Sequence, residues 1–422
     1  MTEGRAAGAL AALAAALLLV GCGQGRAPSG PPGMVLHVDA DRSRCDDGRT
    51  AAQARSAQTP LCSIARAVRL APADAEVVVA RGSYPALELD RSHGDRLTIR
   101  SDGAGAVRLP RIAVGGDASG VAFEGLELTG SPDGPTFDLA PGTHDVQLVR
   151  SRVTATQNDA VVLSAGVGHV TVAGNLIHTS RAGSGVTFAS TSTRPGAPPG
   201  APNQAPIRHV VIRGNHFDGI AVDAIRPTNF DHLLIEGNEI EGVVEHGQHA
   251  DAIQTVFGGS DLVVRHNFIH DNVAQGVFIN DGRVTGAVIE DNVIVRNRAE
   301  LALQLFDTVG LTLAGNTIWD NEHNVILRVG VRDAVVTRNI FQDMVVEDPA
   351  SAARDVRQDH NVIAGGWNWG ARGAHDISAR PTFVDPARRD YRLAATSAGR
   401  GAGACAATGH ARAWLGCAAP AS

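Results

Sequence analysis

The chain contains no lysine; all 37 of its basic residues are arginine. Chemistry that runs through a lysine amine is therefore excluded, including proton removal by lysine in a β-elimination. Aromatic residues make up only 4% of the 422 positions, so a large core must be assembled from Val, Ile, Leu and Ala, which suits thin stacked β layers. A block of basic residues is missing too. The formal charge of −7 is spread along the chain, which argues against nucleic acid as a partner. Apart from Leu10–Val20 there is no long apolar run, and that one is too short for a comfortable membrane span.

Leu10–Val20 follows Arg5 and leads into "LVGCG" at Leu19–Gly23, the layout of an export signal. The small residues before Cys22 resemble the lipobox of bacterial lipoproteins. That resemblance implies a signal peptide at 1–21, cleavage before Cys22, lipidation of its sulfur, and a membrane-anchored protein outside the cytoplasm. Residues 22–34 are rich in Gly, Pro and Ser without periodicity and read as a flexible tether. Four cysteines remain: Cys45 and Cys62 near the start, Cys405 and Cys417 near the end. An oxidising compartment favours bridges, most simply Cys45–Cys62 and Cys405–Cys417.

From about Leu97 to Val362 one short phrase returns: "VTVAGNLI" at 170–177, "VVIRGNHF" at 210–217, "LLIEGNEI" at 233–240, "LVVRHNFI" at 262–269, "AVIEDNVI" at 287–294, "LTLAGNTI" at 311–318 and "AVVTRNIF" at 334–341. Each alternates apolar and other residues at period two, the strand signal, and turns at a Gly/Asn position that tolerates left-handed backbone angles. A second short strand follows in each repeat, for example "AIQTV" at 252–256 and "GVFIN" at 276–280. Two or three strands per repeat without a helix cannot bury a face alone, so stacking into a solenoid is expected. The Pro/Gly-rich insert Ser190–Pro206 is expected to project as a loop.

The pattern resembles the right-handed parallel β-helix proteins, a family that includes pectate lyases, polygalacturonases, alginate epimerases and phage tailspikes. The resemblance implies an all-β right-handed parallel β-helix over 97–378. Residues 35–96 would form the N-terminal cap and first coils, and 379–422 an irregular C-terminal cap. "TPLCSIARAVRLA" (Thr59–Ala71) reads as the capping helix, with Thr59 as N-cap and Pro60 at the first helical position. The flanks Leu36–Tyr84 and Ala379–Ala404 resemble those of secreted polysaccharide-lyase-like proteins, which implies an acidic polysaccharide or other glycan as partner to a monomeric chain.

Aligning the second strands makes Thr187, Arg226, Gln254, Phe278 and Gln304 one outward row. Thr228, Asn280 and Asp307 form a second polar row, and Asp159, Asp223 and Asp251 hold matching places just before the strand. The stretch "EHGQHADAIQTV" (245–256) puts His246, His249 and Asp251 at the lip of this face, with Asn280, Asp281 and Arg283 extending the edge. Asp223 and Asp251 on adjacent coils would be two carboxylates at close range, needing Arg226, a histidine or Ca²⁺ between them.

Three functions fit these residues. Elimination or epimerisation at C5 of a uronic acid needs a carboxylate clamp, for which Arg226 with Gln254 is suited. It also needs a base, for which His249 or His246 is suited because imidazole titrates near neutrality. Glycoside hydrolysis needs two carboxylates, and Asp251 with Asp281 or Asp307 could supply them. A non-catalytic solenoid could instead bind glycan along one face, with Trp319, Trp367 and Trp369 stacking on sugars.

Overall fold

In the computed structural model the chain divides into Met1–Pro31 and Pro32–Ser422, and only the second unit contains described residues. These run from 33 to 403, apart from 42, 93–95, 117, 190–204, 245–248, 300, 324, 347–353 and 367–371. Cys22, Cys405, Cys417, Trp367, Trp369 and most of the Ser190–Pro206 insert therefore lie outside them.

Every coil contributes strands to three faces. The first face stacks Met34–Val38, Ala75–Val79, Leu97–Ser101 and Ser119–Glu124 and continues to Arg354–Asp359, each strand parallel to the last. The second is a 12-stranded sheet running from Gly82–Ser83 to Val362–Ile363. The third carries the second strands of the sequence repeat, among them Val186–Ala189, Ile225–Arg226, Gln275–Ile279 and Leu303–Leu305. Strand Asp251–Arg265 runs from the third face into the first without a break. Period-two alternation sends one set of side chains inward, and Ile225, Ile253, Val277 and Leu303 stack there at 0% exposure. The described residues thus form an all-β parallel solenoid with a single α-helix.

The recurring Asn residues are interior, not surface, features. Asn215, Asn238, Asn267, Asn292, Asn316 and Asn339 each donate an amide N–H to the next Asn Oδ1 at 2.9–3.1 Å, the last reaching Asn361. Each also donates to a carbonyl of the preceding coil, as Asn267 does to Ile235 O at 3.0 Å. Asp376 closes the column by accepting from Asn361 N and Nδ2. A second, shorter column, Asn272–Asn297–Asn321, was not legible in the repeat.

The capping helix is shorter than expected, spanning Ile64–Leu70 with Ser63 as N-cap, not Thr59. Leu61 is taken by the sheet, exchanging backbone hydrogen bonds with His37 and Asp39. Cys62 is fixed by its disulfide to Cys45 and by Asp47, so the helix can begin only after them. The C-terminal segment does more than cap an end. Its hairpin, Phe383–Asp385 with Asp390–Leu393, lies on the second face, where Phe383 and Tyr391 cover Phe268, Val293, Val295 and Trp319. Arg389 adds contacts to Glu241 at 3.1 Å and Asp271 at 3.4 Å. Trp319 is consequently 7% exposed and packed on Phe383, which removes it from any sugar-stacking role.

Candidate functional site

The outward row on the third face is assembled by strand register. Thr187 stands opposite Arg226, Gln254 opposite Phe278, and Phe278 opposite Gln304. Ile225 opposite Ile253 brings Arg226 level with Gln254. The row is less open than outward positions suggest, with Gln254 at 9% exposure and Phe278 and Gln304 at 7%. The second polar row is not continuous. Asn280, the residue after the Ile279–Leu305 pair, is level with Phe306, so Asp307 falls one residue beyond the row. Asp307 instead pairs with Arg283 at 3.1 Å, and Asp281 is an exposed corner residue with positive φ.

The same register carries Asp159, Ser184, Asp223, Asp251 and Gln275 into one column. At its start Asp159 caps the next coil by accepting from Ser184 N at 2.7 Å. Asp223 repeats this two coils on, accepting from Asp251 N at 2.9 Å. Arg226 Nε lies 3.5 Å from Asp223 Oδ2, with the arginine side chain 43% exposed and the aspartate 2%. Burial first, and the neighbouring Asp251 second, push the Asp223 carboxyl up to about 7.

Asp251 departs from the capping pattern. Its side chain is 0% exposed, and Oδ2 lies 3.0 Å from Nδ1 of His249, whose ring is 55% exposed. His249 Nε2 lies 3.1 Å from the amide nitrogen of Gln275, to which the sequence assigned no role. With the Gln304 amide nitrogen donating to Gln275 Oε1 at 3.1 Å, and Gln304 oxygen accepting from Arg328 Nε at 3.1 Å, the direction of the whole chain is set. Gln275 must present its NH₂ to His249, so Nε2 carries the lone pair and the ring proton sits on Nδ1, 3.0 Å from Asp251 Oδ2. The imidazole is thereby held as a neutral base backed by a buried carboxylate, the base-plus-orienter arrangement of acid–base catalysis. Phe278 flanks the ring with centroids 5.5 Å apart and in turn meets Phe306. His246 lies outside the described residues.

The carboxylates cannot act directly on a substrate. Asp223 and Asp251 are sealed from solvent, and Asp281 stands six residues beyond Gln275, the register partner of Asp251. At about 3.3 Å per residue, a path of that length is far beyond the 5–9.5 Å that separates paired glycosidase carboxylates. Beside this sealed pair, His249 and Arg226 reach solvent.

The raised Asp223 pKa fixes a sign for stability. Its folded value of about 7 exceeds its ordinary value of 3.8, so this contribution is complete below about pH 4 and is lost as pH rises through about 7. Asp223→Asn retains an oxygen for Asp251 N–H but cannot ionise. The variant should show a flatter stability–pH profile and gain on the order of 2 kcal/mol above pH 7 in urea denaturation. A profile unchanged from wild type would contradict the assignment.

Comparison with known proteins locates the fold. A family model described as "Right handed beta helix region" matches residues 201–303, which include this site. No curated protein matches the sequence. Among solved structures, a PL6-family alginate lyase, AlyGC, is similar at 12% identity and TM-score 0.52, over 84% of this chain and 58% of that one. XylC in complex with xylose is similar at 11% identity and TM-score 0.51, over 83% and 87% of the two chains. Pectate lyase Pel9A is similar at 12% identity and TM-score 0.50, over 87% and 91%. At such identities the likeness is one of fold. Taken with the coil register, it identifies the described part of this chain as a right-handed parallel β-helix.

Proposed function

We propose that the protein acts on a uronic-acid-containing polysaccharide, removing the C5 proton in a lyase or C5-epimerase reaction. The observation that carries this reading is the exposed His249, 3.0 Å from buried Asp251, with Nε2 on the far side of the ring, where substrate must displace the Gln275 amide before the lone pair can take a proton. Proton abstraction at C5 leaves an anion spread onto the sugar carboxylate. Arg226, one coil away and partly exposed, supplies the opposing charge, and Gln254 beside it supplies an amide. Asp251 favours the imidazolium that forms when His249 takes the proton. The alginate lyase and pectate lyase that share the fold are, by name, enzymes of uronic polymers, which supports the substrate class.

Hydrolysis is the weaker reading because the two close carboxylates are sealed from solvent. The lipobox-like sequence before Cys22 adds the proposal that the enzyme is tethered to a membrane outside the cytoplasm. The test is incubation with pectate, alginate and glycosaminoglycan polymers. New ultraviolet absorbance from a conjugated double bond identifies a lyase, and altered uronic-acid composition without it identifies an epimerase. New reducing ends with neither would overturn the proposal in favour of hydrolysis.

A further inference from the structure

Among the described residues, four groups of His, Asp and Glu bring three potential ligand atoms within 4.8 Å of one another. In three of them an arginine already contacts a carboxylate: Arg208 lies 3.3 Å from Asp231, and Arg389 reaches Glu239, Glu241 and Asp271. The fourth group is Asp359, His360 and His375, at the last strand of the first face and the turn that follows the final coil. Here the partners of the carboxylate are imidazoles. Asp359 Oδ2 lies 2.8 Å from Nδ1 of His375 and 3.3 Å from Nδ1 of His360.

The three ligand atoms are held by separate devices. Asp359 Oδ1 accepts from His375 N at 2.7 Å and from His360 N at 3.0 Å, which fixes the carboxylate plane and leaves Oδ2 facing the rings. His360 sits at φ 63°, and that left-handed turn places its ring beside the ring of His375 with centroids 4.6 Å apart at 19°. His375 is positioned by its neighbour Asp376, which closes the buried Asn column through Asn361 and also accepts from Gly373 N. All three side chains are accessible, at 35%, 58% and 65% exposure. That leaves room for water in the remaining coordination positions.

We propose that Asp359, His360 and His375 form a binding site for a divalent transition metal, with Zn²⁺ as the ion of choice. Tetrahedral Zn²⁺ holds nitrogen and oxygen donors at about 2.0–2.1 Å, which sets neighbouring donors about 3.3 Å apart. The observed 2.8 and 3.3 Å separations need only small outward shifts. Two imidazoles with one carboxylate favour zinc over the hard ions Ca²⁺ and Mg²⁺, which take oxygen donors. The Asp359 contacts to backbone N–H groups are the outer-shell support that such ligands need. Bound metal would tie the turn carrying His375 to the last strand of the first face and so protect the exposed end of the Asn column.

Calorimetric titration of the EDTA-stripped full chain with ZnCl₂ tests the site. One equivalent should bind, raise the melting temperature, and be weakened at least about tenfold in Asp359→Asn, His360→Gln and His375→Gln. His232→Gln, in one of the arginine-contacted groups, should bind like wild type. Imidazole ¹⁵N spectra of wild type should show the change at Nδ1 of His360 and His375, which covers the case of a variant that does not fold. No heat at about 100 μM Zn²⁺, undiminished binding in the three variants, or loss of binding in His232→Gln would overturn the proposal.

Discussion

His249→Ala and Arg226→Ala are each expected to lower turnover of a uronic-acid polymer by roughly 10²-fold or more, the usual cost of losing a general base or a charge that stabilises the transition state. The fold should persist, with some loss of stability because each variant removes a neighbour of a buried carboxylate, Asp251 or Asp223. The two side chains are 55% and 43% exposed, and neither contributes to the interior aliphatic stack. Ile253→Ala supplies the contrast, since Ile253 is fully buried between Ile225 and Val277 and its truncation leaves a cavity costing about 2–5 kcal/mol. Initial rates and urea midpoints on the same three proteins separate the effects. Retention of full activity by His249→Ala would remove the histidine from the mechanism.

The second large effect is expected at the centre of the Asn column. Asn267 accepts from Asn238 N and Nδ2 at 2.9 and 3.0 Å and donates to Asn292 Oδ1 and Ile235 O at 2.9 and 3.0 Å, all in a buried setting. Asn267→Leu has a similar volume but removes the partner of the Asn238 backbone N–H, of one Asn238 amide N–H and of the Ile235 carbonyl, while Asn292 Oδ1 keeps the backbone N–H of residue 267. At about 1–3 kcal/mol for each buried unsatisfied group, the loss should be on the order of 3–5 kcal/mol after partial relaxation. It should appear as a lower urea midpoint. Coils couple to their neighbours, so amide exchange should accelerate most near residues 235–292. A midpoint within experimental error of wild type would show that the column is decorative.

The parts of this fold legible in the sequence are those governed by local periodicity. Alternation in "VVIRGNHF" and its relatives gave the first-face strands, and the recurring Asn gave the spacing of the turns. The equivalence of Thr187, Arg226, Gln254, Phe278 and Gln304 followed, because stacked coils must keep inward residues inward. The misreadings arose in the register of one position and where a coil meets a distant segment. Asp307 is one residue past the row, since the Ile279–Leu305 pair sets Phe306 opposite Asn280. "FIH", "VIV" and "TIW" show no alternation because both sides are covered, inward by the core and outward by the hairpin of Phe383 and Tyr391. Gln275 received no role from the sequence because its importance lies in facing Asp251 and His249 across a coil, which its own neighbours do not signal. The outward row also proved more buried than expected, since adjacent long side chains cover one another.

The central claim is that His249 removes the C5 proton of a uronic acid. Elimination and epimerisation share that step, whereas hydrolysis and simple binding lack it. The most direct measurement is release of label into water from a uronic-acid polymer tritiated at C5, with wild type and His249→Ala compared at equal concentration. The account predicts steady release by wild type and a rate lower by roughly 10²-fold or more in the variant. Polymer cleaved or bound by wild type with its C5 label fully retained would contradict it.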